Sequence, residues 1–253
     1  MSSIINIDSL NIQFANITAV ESFNLNVCDG EFISIVGPSG CGKTSVLNAL
    51  AGLNVDYSGK ILISNKKPTP GDLNVAYMLA RDCLLPWRNT QDNAAYGLEI
   101  RGESLDSRLY RAKKILMQVG LTGFEFSWPK ELSHGMRQRV ALARTFCLSS
   151  KILLMDEPFG ALDAQTKIQL EDILLDLWTY EKRTIIFITH DLAEAIALSD
   201  RVIIMSQRPG RIIADVSIDI PRPRYVRELQ SDNRFLQLYG EIWKIFESGV
   251  SHA

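Results

Sequence analysis

The sequence predicts an α/β fold, because short apolar runs alternate with segments of helical periodicity. Most of these runs are too uniformly hydrophobic for strands with one wet face, which indicates a sheet covered on both sides. The segment Ile4–Phe14 alternates apolar with polar residues instead, which predicts antiparallel strands near a sheet edge. The predicted buried strands are Phe32–Val36, Lys60–Ile63, Val75–Met78, Ile152–Asp156, Ile185–Thr189 and Val202–Met205.

Helical patterns fill the gaps between these strands. Helices are predicted at Ser45–Leu50 and Leu105–Val119, and an apolar stripe along Ile168–Trp178 predicts another. No strand is expected between residues 86 and 146. The sequence therefore predicts a helical subdomain at about residues 86–150, inserted in an α/β domain of residues 1–218.

The composition changes after residue 218. The segment Pro221-Arg222-Pro223-Arg224 interrupts regular structure, and a helical tail completes the expected segment 219–253. This tail either docks on the body for stability or has a regulatory role, and docking is the simpler expectation. The apolar stripe of its amphipathic helix comprises Phe235, Leu238, Tyr239, Ile242, Ile245 and Phe246.

Composition and charge indicate a protein of the reducing cytoplasm. The 253 residues are 46% hydrophobic and 22% charged, with a formal net charge of −2, which gives no reason to expect a nucleic-acid partner. The four cysteines are scattered, without zinc-ligand or redox spacing. We expect no signal peptide in Met1–Leu10, and no apolar run approaches the roughly 20 residues of a membrane span. Contact with a membrane would require a partner.

A glycine-rich loop follows the predicted strand Phe32–Val36 and leads into a helix. Its sequence matches the phosphate-loop pattern, in which backbone N–H groups and a helix N-terminus surround an anion. Lys43 is expected to reach the β- and γ-phosphates, and the Thr44 hydroxyl to bind Mg²⁺. The strand and helix on either side argue against a chance glycine turn. The nucleotide-binding residues of this segment are Gly37, Pro38, Ser39, Gly40, Cys41, Gly42, Lys43, Thr44 and Ser45.

Two other strands end in residues suited to phosphate chemistry. Asp156 and Glu157 end the run Ile152–Asp156, at the strand end where α/β sheets bind ligands. Asp156 is placed to hold Mg²⁺, and Glu157 to take a proton from the attacking water. His190 follows another strand, where an imidazole can bind the γ-phosphate and orient that water. Acids in a turn and a lone histidine are often structural, but the phosphate loop favours function. Catalysis is therefore assigned to Glu157, His190 and Lys43.

A fourth motif reduces the number of NTPase families that the sequence fits. The segment Leu132-Ser133-His134-Gly135-Met136-Arg137-Gln138-Arg139 precedes a predicted helix, and Gly160-Ala161-Leu162-Asp163 follows the acidic pair. With these motifs the chain resembles the ATPases of the ABC transporter family, from about Ile4 to Ile213. Leu84-Leu85-Pro86-Trp87 and Ile220-Pro221-Arg222-Pro223-Arg224 resemble the branch that serves nitrate, sulfonate and taurine importers.

The resemblance implies a P-loop NTPase nucleotide-binding domain that binds ATP and Mg²⁺ and hydrolyses ATP to power import. It implies a head-to-tail pair of identical subunits, in which the signature Ser133, His134, Gly135 and Met136 contacts the nucleotide of the other copy, and Asp163 couples the sites. Membrane permease subunits would be direct partners, and a solute-binding protein an indirect one, which would place the chain peripherally on the inner membrane face. Phe14 would stack on adenine, or else fill a strand core. Leu84–Trp87 would receive a permease helix, or else pack locally.

The sequence departs from the family pattern at two positions. Ala80 stands where the family carries a glutamine that contacts Mg²⁺ or its water, which puts coupling to the permease in more doubt than hydrolysis. His134 stands where the signature has its first glycine. If Ser133 caps the following helix, His134 begins that helix in an ordinary backbone conformation and makes activity depend on pH near neutrality.

Two other functions compete with transport. Non-transport ABC ATPases of DNA repair insert a long coiled coil between the phosphate loop and the signature, and those of translation carry two cassettes; neither feature is present in the sequence. An ATP-gated regulatory subunit without hydrolysis would fit Ala80 and His134. The residues that favour an active ATPase are Lys43, Asp156, Glu157 and His190.

Overall fold

A computed structural model describes residues 3–54 and 56–251, and the side chains of all of these except residues 250 and 251. Residues 252 and 253 of the predicted tail lie outside the described residues, as do residues 1 and 2 of the segment expected to lack a signal peptide. The strands are β1 (Ser3–Phe14), β2 (Ile17–Cys28), β3 (Phe32–Val36), β4 (Tyr57–Ile63), β5 (Val75–Met78), β6 (Ile152–Asp156), β7 (Thr184–Ile188), β8 (Arg201–Met205) and β9 (Ile212–Ser217). The helices are α1 (Lys43–Leu50), α2 (Thr90–Ile100), α3 (Leu105–Gln118), α4 (His134–Cys147), α5 (Ala164–Glu181), α6 (Leu192–Leu198), α7 (Val226–Leu229) and α8 (Asn233–Ser251), with a 3₁₀ turn at Pro129–Glu131.

A six-stranded sheet in the order β5-β6-β7-β3-β8-β9 forms the centre of the molecule. Its strands are parallel except β9, which pairs antiparallel with β8. The apolar runs predicted from the sequence are confirmed as strands, with ends shifted by a few residues. The expectation that Lys60–Ile63 is buried on both faces is wrong: this run belongs to β4, which lies outside this sheet and is partly exposed. In β3 and β7 every residue is buried, which explains why these strands carry no polar alternation.

The strand predicted at Ile4–Phe14 is confirmed as the antiparallel β1, but its expected position near a sheet edge is wrong. It lies in the centre of a separate three-stranded sheet, between β2 and β4. Helix α1 packs between this sheet and one face of the large sheet, in a core that includes Phe23, Leu47 and Ile35. The helices α2 to α8 contribute to a second core on the opposite face, around Phe32, Phe146 and Phe187. Successive side chains of β3 enter the two cores in turn, with Phe32 and Val36 in one and Ile33 and Ile35 in the other, which explains why both faces of this strand carry apolar residues.

Residues 86–146, all of which the structure describes, contain helices and no strand. Helix α4 packs against both α2 and α3 and continues into the strand β6. At the other end of the chain, α8 packs against α6 and β9, and buries Phe235, Leu238 and Ile242 in the second core. Among the described residues, no helix combines the length and the apolar character needed to cross a membrane.

Candidate nucleotide site

The phosphate loop joins the buried strand β3 to the N-terminus of α1. Gly42 caps this helix with φ of 103°, and a side chain there would come within 2.6 Å of Val20 and 2.9 Å of the Ala19 carbonyl. Glycine is therefore required by both conformation and space. The Lys43 ammonium donates to the carbonyls of Gly37 and Pro38 at 2.7 and 3.0 Å, so it folds over the loop.

Thr44 and Asp156 meet at the carboxyl ends of the parallel strands. The Thr44 hydroxyl donates to the two carboxylate oxygens of Asp156 at 3.0 and 3.2 Å. Burial raises the pKa of Asp156, and the neighbouring Glu157 raises it further, while Thr44 and Lys43 oppose the shift. The Thr44 hydroxyl and the Asp156 carboxylate thus lie together near the Lys43 ammonium. This set of polar groups suits a cation that is also bound to phosphate.

Glu157 and His190 lie together at the same end of the sheet. Glu157 has φ of 45°, in the left-handed region that side chains other than glycine rarely adopt, and its N–H donates to the Ile188 carbonyl at 2.9 Å. Its carboxylate lies 3.4 Å from Nδ1 of His190. The loop after β6 therefore places Glu157 next to the histidine that follows β7.

A cavity of about 530 Å³ opens between the phosphate loop, β1–β2 and the acidic pair. Phe14, half exposed, borders it and does not fill a strand core. Sequence reasoning missed three of the lining residues: Ile17 and Ala19 because β2 was not predicted, and Arg208 because its turn carries no recognisable motif. The lining residues are Phe14, Ile17, Ala19, Ser39, Gly40, Gly42, Lys43, Thr44, Ser45, Ala80, Asp156, Glu157 and Arg208. Gly37, Pro38 and Cys41 lie elsewhere in the loop, and burial raises the pKa of the Cys41 thiol.

The signature segment begins helix α4 but does not line this cavity. The Ser133 hydroxyl caps the helix by accepting from the Met136 N–H at 3.2 Å, as predicted. His134 is the first helical residue and its backbone stays outside the left-handed region, so the missing glycine costs no strain there. A side chain on Gly135 would come within 2.6 Å of Thr166 in α5. The signature thus packs against the start of α5, whose N-cap is Asp163.

Mg²⁺ fits the residues that the chain presents. Among the described residues no cluster of three or more histidine, cysteine or acidic side chains could hold a metal by itself. Thr44 and Asp156 offer a hydroxyl and one carboxylate. Mg²⁺ is usually held by one or two carboxylates together with substrate phosphates and waters, so this small donor set suits it.

A family model for the ABC transporter matches residues 20–160, more than half of the chain. The chain belongs to the ABC transporter family. It is 45% identical over 208 residues to an uncharacterised ABC transporter ATP-binding protein of Methanocaldococcus jannaschii, covering 82% of this chain and 78% of that one. An aliphatic sulfonates import ATP-binding protein of Bacillus cereus is 37% identical over 237 residues, covering 94% and 92%.

Among solved structures, the chain resembles the dimeric post-hydrolysis state of the ATP-binding cassette MJ0796 bound to ADP and phosphate. The TM-score is 0.74 with 27% identity, over 86% of this chain and all of that one. The predicted ABC-type P-loop fold is confirmed, and so is the assignment as an ATP-binding ABC transporter subunit with ATPase activity. The roles of individual residues stay predictions.

Proposed function

We propose that this ABC ATPase powers the import of a small solute, of the class carried by nitrate, sulfonate and taurine importers. The observation that carries the hydrolytic part is the pairing of Glu157, which lines the cavity with Lys43 and Asp156, with His190 at 3.4 Å. The importer assignment is supported by the sulfonate-import relative, which aligns over nearly the whole of both chains. The motifs at Leu84–Trp87 and Ile220–Arg224 support the same branch.

ATP binds with its phosphates in the loop Gly37–Ser45 and its adenine against Phe14. Lys43 is drawn to the phosphates, because its ammonium exchanges two neutral carbonyl partners for charged oxygens. Thr44 and Asp156 would hold Mg²⁺, which would supply positive charge to neutralise the charge that develops on the phosphates. Arg208 is a second cation on the cavity wall.

Glu157 acts as the general base for hydrolysis. Its carboxylate accepts a proton from the water that attacks the γ-phosphorus, and His190 orients that water and the γ-phosphate. The left-handed backbone of Glu157 is consistent with this role, because strained residues concentrate at functional sites where the surrounding structure holds them.

The active assembly is a head-to-tail pair of these chains. Ser133, His134, Gly135 and Met136 lie outside the cavity of their own chain, so a second copy must supply them if they contact nucleotide. Ser133 and the Gly135 N–H would then reach the γ-phosphate across the interface, with Asp163 between the two sites.

The pair works at the cytoplasmic face of the membrane with permease subunits and, through them, a solute-binding protein. The segment Leu84–Trp87 supports a permease contact, because its two ends differ: Leu84 packs against the core, whereas Trp87 is 70% exposed. Exposed tryptophans are common at protein interfaces, where they contribute much of the binding energy.

The substitution Glu157→Gln tests the hydrolytic assignment. The amide cannot accept the proton, so turnover should fall about 100-fold or more while ATP still binds, and Mg-ATP should shift the protein to a stable dimer. Phosphate release and light scattering measure these two effects. Glu241→Gln, on the exposed side of α8, is the matched control and should match the parent chain. Unchanged turnover in the Glu157 variant would refute the base assignment.

Import is tested with the complex isolated through the tagged chain from its native membranes. The complex, reconstituted in vesicles with its solute-binding protein, should hydrolyse ATP faster when nitrate, taurine or an alkanesulfonate is supplied. Association with a nucleic acid or ribosome, without a membrane subunit, would refute the transport assignment.

A further inference from the structure

A group of four ionisable side chains lies next to the loop that carries His190. Lys167, on α5, places its ammonium 2.7 Å from an Asp191 carboxylate oxygen, 3.5 Å from Glu194 and 3.9 Å from Glu171. Glu171 and Glu194 are almost fully buried, with 3% and 4% of their surface exposed. One ammonium therefore faces three carboxyl groups that come from two helices and the loop between β7 and α6.

The protonation of this cluster follows from its burial. Burial, and then the neighbouring Glu194, raises the pKa of Glu171 to about 8, so Glu171 is protonated at neutral pH. Burial also raises the pKa of Glu194, against the attraction of Lys167. Burial opposes ionisation of Asp191, but the hydrogen bond and charge of Lys167 outweigh it and lower the pKa of this carboxyl. The pair Lys167–Asp191 is consequently charged and is the strongest contact of the cluster.

These contacts hold the backbone on both sides of His190. The Thr189 hydroxyl donates to the Glu194 carboxylate and accepts from the Asp191 N–H at 3.0 Å. Asp191 also caps α6, accepting from the N–H groups of Ala193 and Glu194. The residues before and after His190 are thus fixed to Lys167 and Glu194, whereas the imidazole itself is 62% exposed and faces Glu157.

Lys167 also belongs to the first turn of α5. Its N–H donates to the carbonyl of Asp163 at 2.9 Å, and Asp163 is the N-cap of this helix. The same turn carries Thr166, which lies against Gly135 of the signature helix. Lys167 therefore connects the loop of His190, which its side chain contacts, to the first turn of α5, which contacts the signature. The signature is the segment proposed to face the second copy.

We propose that Lys167 is a positioning residue for ATP hydrolysis, which sets His190 against Glu157 and ties that arrangement to the turn that begins with Asp163. This inference rests on the role proposed above for His190. Without the ammonium, the buried Glu194 and the partly exposed Asp191 lose their counter-ion, and we expect the His190 loop to move so that these carboxyl groups reach water. Lys167 does not line the nucleotide cavity, so we expect its substitution to leave the affinity for ATP unchanged.

The test compares Lys167→Met with Lys167→Arg in steady-state ATP hydrolysis by the full chain. In the methionine variant kcat should fall about 10- to 100-fold with KM for ATP within about threefold of the parent, because displacement of a catalytic group costs rate and not binding. Arginine keeps the charge and should restore most of kcat. Lys113→Met, on the exposed face of α3, is the control. A kcat unchanged in Lys167→Met, or a loss that arginine does not relieve, would overturn the proposal.

A second variant covers the case in which Lys167→Met does not fold. Thr189→Val keeps the shape of the side chain but removes the hydroxyl between Glu194 and the Asp191 N–H, and should lower kcat in the same way. Unchanged kinetics in Thr189→Val would refute the arrangement. The substitution His190→Ala separates this inference from the proposed function. If the His190→Ala variant keeps full turnover, the role proposed for His190 is wrong. If it loses turnover while Lys167→Met keeps the parent kcat, only the positioning role of Lys167 is refuted.

Discussion

Arg224 is expected to be one of the most important side chains for stability outside the two cores. It lies in the segment between β9 and α7 and is 5% exposed. Its guanidinium donates to five backbone carbonyls, at distances of 2.7 to 3.4 Å: Ile196, Ala197, Ser199, Ile218 and Ile220. Three of these carbonyls belong to the end of α6, where the last turn of a helix lacks internal partners.

The substitution Arg224→Met keeps much of the side-chain volume and removes every donor. A buried acceptor left without a partner costs about 1–3 kcal/mol. Water entering beside the shorter side chain will satisfy some of the five carbonyls, and the parent chain bears the cost of a buried charge, which lowers the pKa of Arg224 to about 10. We therefore expect the free energy of unfolding to fall by about 3–5 kcal/mol, which corresponds to about two of these carbonyls left without a partner.

Urea unfolding at neutral pH, followed by tryptophan fluorescence and circular dichroism, measures this loss. Arg211→Met is the matched control, because Arg211 forms an ion pair with Glu21 in which both side chains are well exposed, 57% and 38%. Such surface pairs contribute about 1 kcal/mol or less. If Arg224→Met falls within about 1 kcal/mol of that control, the reasoning about buried carbonyls is refuted.

Three further predictions concern the site and its surroundings. His134→Gly should change the shape of the ATPase pH profile near neutrality, because an exposed imidazole at the start of α4 is removed; superimposable profiles would contradict this. Glu171→Gln should flatten the dependence of stability on pH. Between pH 4.5 and about 8 the native chain retains a proton on Glu171 that the unfolded chain has lost. The free energy of unfolding therefore falls as pH rises through this window, by up to about 1.4 kcal/mol per pH unit, and the glutamine variant should lack this fall. Melting curves across that range would show no difference in slope if the carboxyl is ordinary. Gly210→Ala should raise KM for ATP about tenfold, because the new methyl would lie 2.0 Å from the Cys41 carbonyl and displace the phosphate loop, whereas Gly240→Ala, with open space around it, should leave KM unchanged.

Local patterns are enough to predict the buried strands and the loops at their ends. Runs such as Ile152–Asp156 are buried on both faces, so their composition alone distinguishes them. The edge strand β9 escapes prediction because its residues alternate between half-buried and exposed, and a short alternating segment resembles a loop. In β2 the buried Phe23, Leu25 and Val27 alternate with polar residues, a strand signal that could have predicted β2 and with it the cavity residues Ile17 and Ala19.

Contacts between distant polar residues cannot be predicted from the sequence in this way. The local pattern marks Arg224 only as part of a proline-rich break, although the side chain is buried against the end of α6. Lys167 and Asp191 are 24 residues apart in the chain and meet only because β7 returns the chain to the start of α5. Nothing local to either residue specifies that meeting. Charged side chains that pair across elements leave no periodic signal of the kind that apolar faces leave.

Ala80 lies shortly before Asp82 and Cys83, which form hydrogen bonds with helix α4. Its own methyl group borders the cavity and can neither bind Mg²⁺ nor hold its water. Two residues later Asp82 accepts from Nε of Arg137 in α4 at 3.0 Å, and Arg144 of the same helix donates to the Asp82 and Cys83 carbonyls. The segment that leads to Trp87 is therefore fixed to the helix that begins with the signature, by three contacts that involve neither the glutamine nor the metal. We therefore expect a displacement of this segment to act on α4 directly, through contacts that do not depend on the side chain at position 80.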